Sequence, residues 1–278
     1  MSWLESWRPA LLRPALHVAM APEGLHYLLR APWPGRILDH GHIPCVPSSP
    51  PWQASLAALA QLVALPAAKG AVLHVVLSHA FVRFQVLPWR PGVASPVEQQ
   101  AYAGLRFKSV FGEASVEWQT CVDPVLPGEP ALACAMPRAL LAGLHHCVGN
   151  GLSLGSVQPQ FALAFNRRIR SLKGDTVWFA VAEADRICLS LCLDGRWQSI
   201  RNESCGNHWP TALGGLLRRL QLPLGLGAGR GVLYLHCASA ALAAADVPEQ
   251  LNGMVVHRTE PVGQWTPDQR AVALALGY

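Results

Sequence analysis

One pattern constrains this chain more than any other: an order of three strands, a helix and a strand is written into it twice. Ala15 to Ala21, Leu25 to Ala31 and Arg36 to Ile43 are strand-length runs separated by Pro22-Glu23-Gly24 and Pro32-Trp33-Pro34-Gly35, which carry turn chemistry. Trp52 to Leu65 then sets Leu56, Leu59, Ala60 and Val63 on one face at helical spacing, and Ala71 to Leu77 is the unbroken apolar run of a buried parallel strand. The same order returns at Thr176 to Ala182, Arg186 to Leu193 and Arg196 to Asn202, where Asp194-Gly195 is a two-residue hairpin turn. A helix from Trp209 to Leu220 and a strand from Val232 to His236 complete it. A unit used twice with little shared identity is an internal structural repeat, and it requires two sheets.

Between the two units lies extra material. Phe81 to Trp89 alternates Arg83 and Gln85 with Val82, Phe84 and Val86, the pattern of a half-exposed strand. Ser95-Pro96-Val97-Glu98 opens a helix, with Ser as the cap, Pro in the first turn and an acid behind it. Strands follow at Val116 to Val122 and Ala131 to Ala135, a helix at Pro137 to Val148, a strand at Leu152 to Val157 and a helix at Gln160 to Leu172. Beyond the second unit come a strand at Met254 to His257 and a helix at Pro267 to Leu276. The division that follows is a first half over 1–174, with an insertion at about 81–136, and a second half over 175–278.

Composition removes several classes of function. Only 14% of the 278 residues are charged and 51% are hydrophobic, so the chain packs a core. The net charge of +5 is scattered, and its tightest group, Arg167, Arg168, Arg170 and Lys173, closes a helix, where cations oppose the macrodipole; nucleic acid is not expected. The eight cysteines form no C-x-x-C pair and sit mostly in apolar runs, which reads as free thiols in a reducing compartment. His145, His146 and Cys147 are sequence neighbours that diverge on a helix, and His40 and His42 lack a third ligand, so no metal is expected. Ala19-Met20-Ala21 imitates a signal cleavage site, but Arg13, Pro14 and His17 interrupt the run before it. Ala54 to Ala68 and Gly231 to Ala245 are too short to span a membrane. Ser78 and His79 suggest a hydrolase, yet the one G-x-S-x-G string, residues 151–155, opens a strand instead of making a strand-to-helix turn. Trp3, Trp7, Trp33, Trp52, Trp89 and Trp118 crowd the first half, either as contact residues or as caps on the core.

Two such units with an inserted strand-helix-strand-strand piece resemble the α/β actin-like fold of paired ribonuclease-H-like halves. The stretch from Ser78 to Asn166 is similar to the PilM family of type IV pilus assembly and the related cytoplasmic domain of GspL from type II secretion. The resemblance is carried by LSHAFVRFQVLPW, PVEQQAYAGLRFKSVFG, EWQTCV and ALACAMPRALLAGLHHCVGNGLSLGSVQPQFALAFN. It implies a cytoplasmic protein peripheral to the inner membrane, with a groove between the first half and its insertion. That groove would receive the short cytoplasmic N-terminal segment of a single-pass membrane protein, and a motor component of the same machine would be a further partner. The seam maps onto Phe81 to Trp89, with Arg83, Gln85 and Trp89 as candidate partner-binding residues.

The resemblance also directs attention to what is replaced. Actin-like nucleotide sites carry Asp-x-Gly in the turn after the first strand of each half, the Asp for Mg²⁺ and the Gly for close approach of backbone N–H groups to phosphate. Those positions fall on Ala19 and Ala21, with His26 beyond them, and on Ala180 and Ala182, followed by Glu183-Ala184-Asp185. The Gly-Gly beside the adenosine falls on Cys237 and Ala238. A lining of methyl groups implies a pseudo-ATPase: no catalytic residue, no cofactor and a scaffolding role. An active actin-like ATPase or sugar-kinase-like enzyme with unusual phosphate loops stays open, as does a free-standing regulatory binding protein of the same fold.

Overall fold

A computed structural model describes residues 13–32, 36–93, 95–124, 127–148, 151–206, 208–245 and 247–278; Trp3, Trp7 and Trp33 lie outside them. The first unit is β1 (Ala15–Ala21), β2 (Gly24–Arg30), β3 (Ile37–Pro44), helix α1 (Gln53–Ala64) and β4 (Val72–Leu77). The insertion is β5 (Arg83–Leu87), α2 (Pro96–Phe111), β6 (Trp118–Val122) and β7 (Ala131–Pro137), after which α3 (Arg138–Cys147), β8 (Ser153–Pro159) and α4 (Gln160–Arg168) return to the first unit. The second unit is β9 (Thr176–Ala182), β10 (Arg186–Leu193), β11 (Arg196–Ser204), α5 (Trp209–Gln221) and β12 (Val232–Cys237). The short helix α6 (Ala240–Ala243), β13 (Gln250–Leu251), β14 (Met254–Arg258) and α7 (Pro267–Ala275) follow.

The strands make three sheets, ordered β3-β2-β1-β4-β8, β11-β10-β9-β12-β14-β13 and β5-β7-β6. The two large sheets repeat one plan, an antiparallel meander whose first strand pairs in parallel with the strand after the helix. β9 is buried at every position because β10 and β12 flank it and both of its faces are covered. Its even positions Trp178, Ala180 and Ala182 pack with Leu213, Leu216 and Leu217 of α5, while Val177, Phe179 and Val181 join a core shared with the first half. Asp194 and Gly195 both adopt positive φ, 50° and 75°, as a tight hairpin between right-twisted strands demands. Ser95 caps α2 as expected: its hydroxyl accepts from the Glu98 N–H while the Glu98 carboxylate accepts from the Ser95 N–H.

Several expected boundaries move. The strand expected over Phe81 to Trp89 contracts to Arg83–Leu87, and residues 116–117 belong to a 3₁₀ turn that precedes β6. The helix expected to Leu172 ends at Arg168, whose guanidinium turns back to bond Ala164 O at 3.1 Å and Gly277 O at 3.0 Å. The largest departure concerns α7. Although it follows the second unit, Val272, Ala275 and Leu276 pack on Ala19, Leu28 and Val76 of the first sheet, so the last residues leave the half to which their position in the chain assigns them. Gln160 donates to Ala275 O at 3.0 Å and fixes that return.

Candidate functional site

The parallel strands of both halves point their C-terminal ends at one cleft of about 220 Å³. Ala19, Met20, Ala21 and Glu23 line one wall, Glu183, Ala184, Ala238 and Ser239 the other, and Ser78 closes the floor. Ala19, Ala21 and Ala238 line this cleft. Ala180, Ala182 and Cys237 are buried in the second half's core. The residue that takes the turn position is Glu183, which the sequence offered without a role.

Glu183 reaches across to the first half. Ser78 Oγ donates to Glu183 Oε2 at 2.5 Å, the His79 N–H donates to Oε1 at 2.9 Å, and His79 Nδ1 lies 3.2 Å from Oε1. Burial pushes the Glu183 carboxyl up to about 8 against the two hydrogen bonds that favour its charge, and burial lowers His79 to about 3. Near neutral pH both groups are uncharged, which is the state a dry interface favours. At the cleft mouth burial lowers His26 to about 4 and raises Glu23. Among the described residues no Lys or Arg lines the cleft.

A second concave feature lies on the inserted sheet. Side chains alternate along its strands, so Leu87, Ala131, Ala133 and Ala135 pack beneath Ala103 and Phe107 of α2. The opposite face presents Phe84, Leu132, Cys134 and Cys121 to α4 of the first half. The resulting shallow groove, about 50 Å³, is closed by Phe161, Phe165 and Asn166 of α4 and by Trp197 of the second half. The Phe165 ring lies 4.8 Å from Trp197, tilted 44° to it, and Phe161 meets Phe84 edge-on at 5.6 Å. Its polar groups are Asp123, raised by burial, and Asn166.

The three candidate partner residues do not line this groove. Gln85 is 8% exposed and donates to Arg106 O at 3.1 Å under α2, so the face expected to be polar and open is covered by a helix. Arg83 is half-buried and donates to Val82 O at 2.8 Å. Trp89 is 43% exposed but sits on the α2 side, beside Arg90 and Tyr102. The groove's own aromatics, Phe161 and Phe165, lie on the helix expected from Gln160, but nothing in the sequence paired that helix with β6 and β7.

No protein-family model and no curated protein sequence matches this chain. Solved structures do. It is similar to the PilM–PilN type IV pilus biogenesis complex over 97% of this chain and 98% of that one, with a TM-score of 0.68 and 15% identity. A protein of Bacteroides thetaiotaomicron with an actin-like ATPase fold and unknown function is similar over 98% of both chains, with a TM-score of 0.60 and 12% identity. The cytoplasmic domain of EpsL, an inner-membrane component of the Vibrio cholerae type II secretion system, is similar over 95% of this chain and 92% of its own, with a TM-score of 0.55 and 14% identity. The chain has the actin-like fold, and the resemblance drawn from residues 78–166 points to the same structures. Among the described residues no helix is long and apolar enough to cross a membrane.

Proposed function

We propose that this actin-like chain is a non-catalytic scaffold that docks on the inner-membrane assembly platform of a type IV pilus or type II secretion-like system. It holds a short segment of a membrane partner in the groove between α4 and the inserted sheet. Two of the similar structures come from such machines, and one of those is a complex of two proteins. The observation that carries the reading is the chemistry of the two concave features. The cleft offers methyl groups and two carboxyls to a ligand that would be polyanionic, and its 220 Å³ falls below the ~300–1,000 Å³ usual for small-molecule pockets. Its Glu183 is already engaged by Ser78 and His79. The groove offers aromatic rings flanked by one amide and one carboxyl, which suits an apolar anchor side chain carried on a peptide backbone.

Calorimetric titration with Mg-ATP is the direct test. No heat of binding is expected at micromolar nucleotide, and a micromolar Kd, about −8 kcal/mol, would overturn the scaffold reading and restore the ATPase or sugar-kinase alternative.

A further inference from the structure

We propose that Cys121 and Cys134 form a reversible thiol–disulfide site, converted to a cross-strand disulfide by a low-molecular-weight disulfide such as oxidised glutathione and restored by a thiol reductant. β6 and β7 pair antiparallel with Cys121 directly opposite Cys134. The Asp123 N–H donates to Leu132 O at 2.9 Å, which sets the phase of the ladder. Hydrogen-bonded pairs recur every second residue, so Cys121 and Cys134 form such a pair, whose Cα atoms lie ~5.5 Å apart. That spacing is inside the ~4.4–6.8 Å range of disulfides; facing Cβ atoms in such a pair lie ~4.5–5.5 Å apart against the ~3.5–4.5 Å of a disulfide, so closing the bond draws the two strands together locally by about 1 Å.

The two thiols also differ in the way the chemistry requires. Both are free; Cys121 is exposed and Cys134 half-buried on the same face. Pairing with the Cys134 thiol favours the Cys121 thiolate and holds Cys121 down to about 6, while the same pairing and burial raise Cys134. Cys121 is thus the accessible thiolate. It attacks one sulfur of the incoming disulfide, forming a mixed disulfide and releasing one thiolate. Cys134 then loses its proton, attacks the Cys121 sulfur and releases the second thiolate. Two protein thiols are oxidised and one small disulfide is reduced to two thiols. None of the other six cysteines faces another cysteine across a ladder, and Cys188, Cys192 and Cys237 are buried.

The bond would tie β6 to β7 on the wall of the groove. Its bearing on a partner rests on the function proposed above; its formation does not.

The test is exposure of the full chain to oxidised glutathione near neutral pH, followed by intact mass and peptide mapping without reduction. The wild-type protein should lose two hydrogens, retain no glutathione and yield one linked peptide pair joining Cys121 to Cys134, all reversed by dithiothreitol. Cys134→Ser should trap one glutathione on Cys121, and Cys121→Ser should react at least about tenfold more slowly. Melting of both variants near the wild-type temperature shows that they fold. A glutathione adduct that persists on Cys121 of the wild type, a link through another cysteine, or an unreactive Cys134→Ser protein would overturn the proposal. A failure of the partner reading would leave the mass results unchanged.

Discussion

Replacing Glu183 by Gln should change how stability depends on pH, by an amount that follows from the carboxyl's position between the halves. In the native state burial holds it protonated up to about 8, whereas the unfolded chain releases that proton near the ordinary glutamate value of 4.5. Between those limits the native state binds the extra proton, so the group's contribution is fully present below the lower value and is lost as pH rises toward 8, by about 1.4 kcal/mol per pH unit. Other groups act in the same range. His17, His79 and His236, lowered to about 3, and His26, lowered to about 4, add stability as pH rises to their unfolded value of 6.5. Cys121, lowered to about 6, adds stability above that pH. The informative quantity is therefore the difference between wild type and Glu183→Gln, in which the contributions of His17, His26, His236 and Cys121, which do not touch Glu183, cancel; His79, which does, titrates below the window measured. Gln keeps a carbonyl to accept from Ser78 and His79 and cannot ionise. Urea unfolding followed by tryptophan fluorescence should show the wild-type advantage shrinking by about 2 kcal/mol between about pH 6.5 and about pH 8. A difference that stays constant across that window would mean that Glu183 is ionised in the folded protein, and the neutral contact between the halves would have to be abandoned.

Phe161 has 0% exposure and touches the rings of Phe84, Phe165, Phe179 and Trp197, so Phe161→Ala should cost about 3–5 kcal/mol in the same assay; a loss under about 1 kcal/mol would show that the halves are held together elsewhere. Trp89→Ala, at an exposed position off the groove, should stay within about 0.5 kcal/mol of wild type, and a cooperative loss of folding would return Trp89 to the core.

The repeated plan was legible because it rests on short-range signals. Pro22-Glu23-Gly24 and Asp194-Gly195 punctuate strands that alternate or run apolar, and Ser95 with Glu98 starts a helix by a local hydrogen-bond exchange. What was not legible depended on partners distant in sequence. Gln85 alternates as an exposed strand residue would, yet α2 covers its face, and period alone does not say which face a later helix will choose. The strand from Thr176 to Ala182 was legible, but the role of Glu183 just beyond it was not, because its partners Ser78 and His79 lie more than 100 residues away in the chain. The terminal helix carries an ordinary amphipathic pattern, and nothing local records that Ala275 and Leu276 settle against Ala19 and Leu28.

These long-range contacts bear on the scaffold reading as a group. Hinge and shear closures around a ligand cleft need an interface that repacks cheaply. Here Ser78 and His79 of the first half bond Glu183 of the second, and Asn202 of β11 donates to His79 O at 2.7 Å and Val82 O at 3.1 Å. Opening the cleft would exchange these hydrogen bonds for hydrogen bonds to water, at about 0.5–1.5 kcal/mol net for each. It would also part Phe161 and Phe165 from Phe179 and Trp197. A cleft closed by neutral hydrogen bonds and aromatic packing is poorly suited to cycling, and well suited to keeping α4 at a fixed distance from the inserted sheet, the geometry that a groove for a peptide anchor needs.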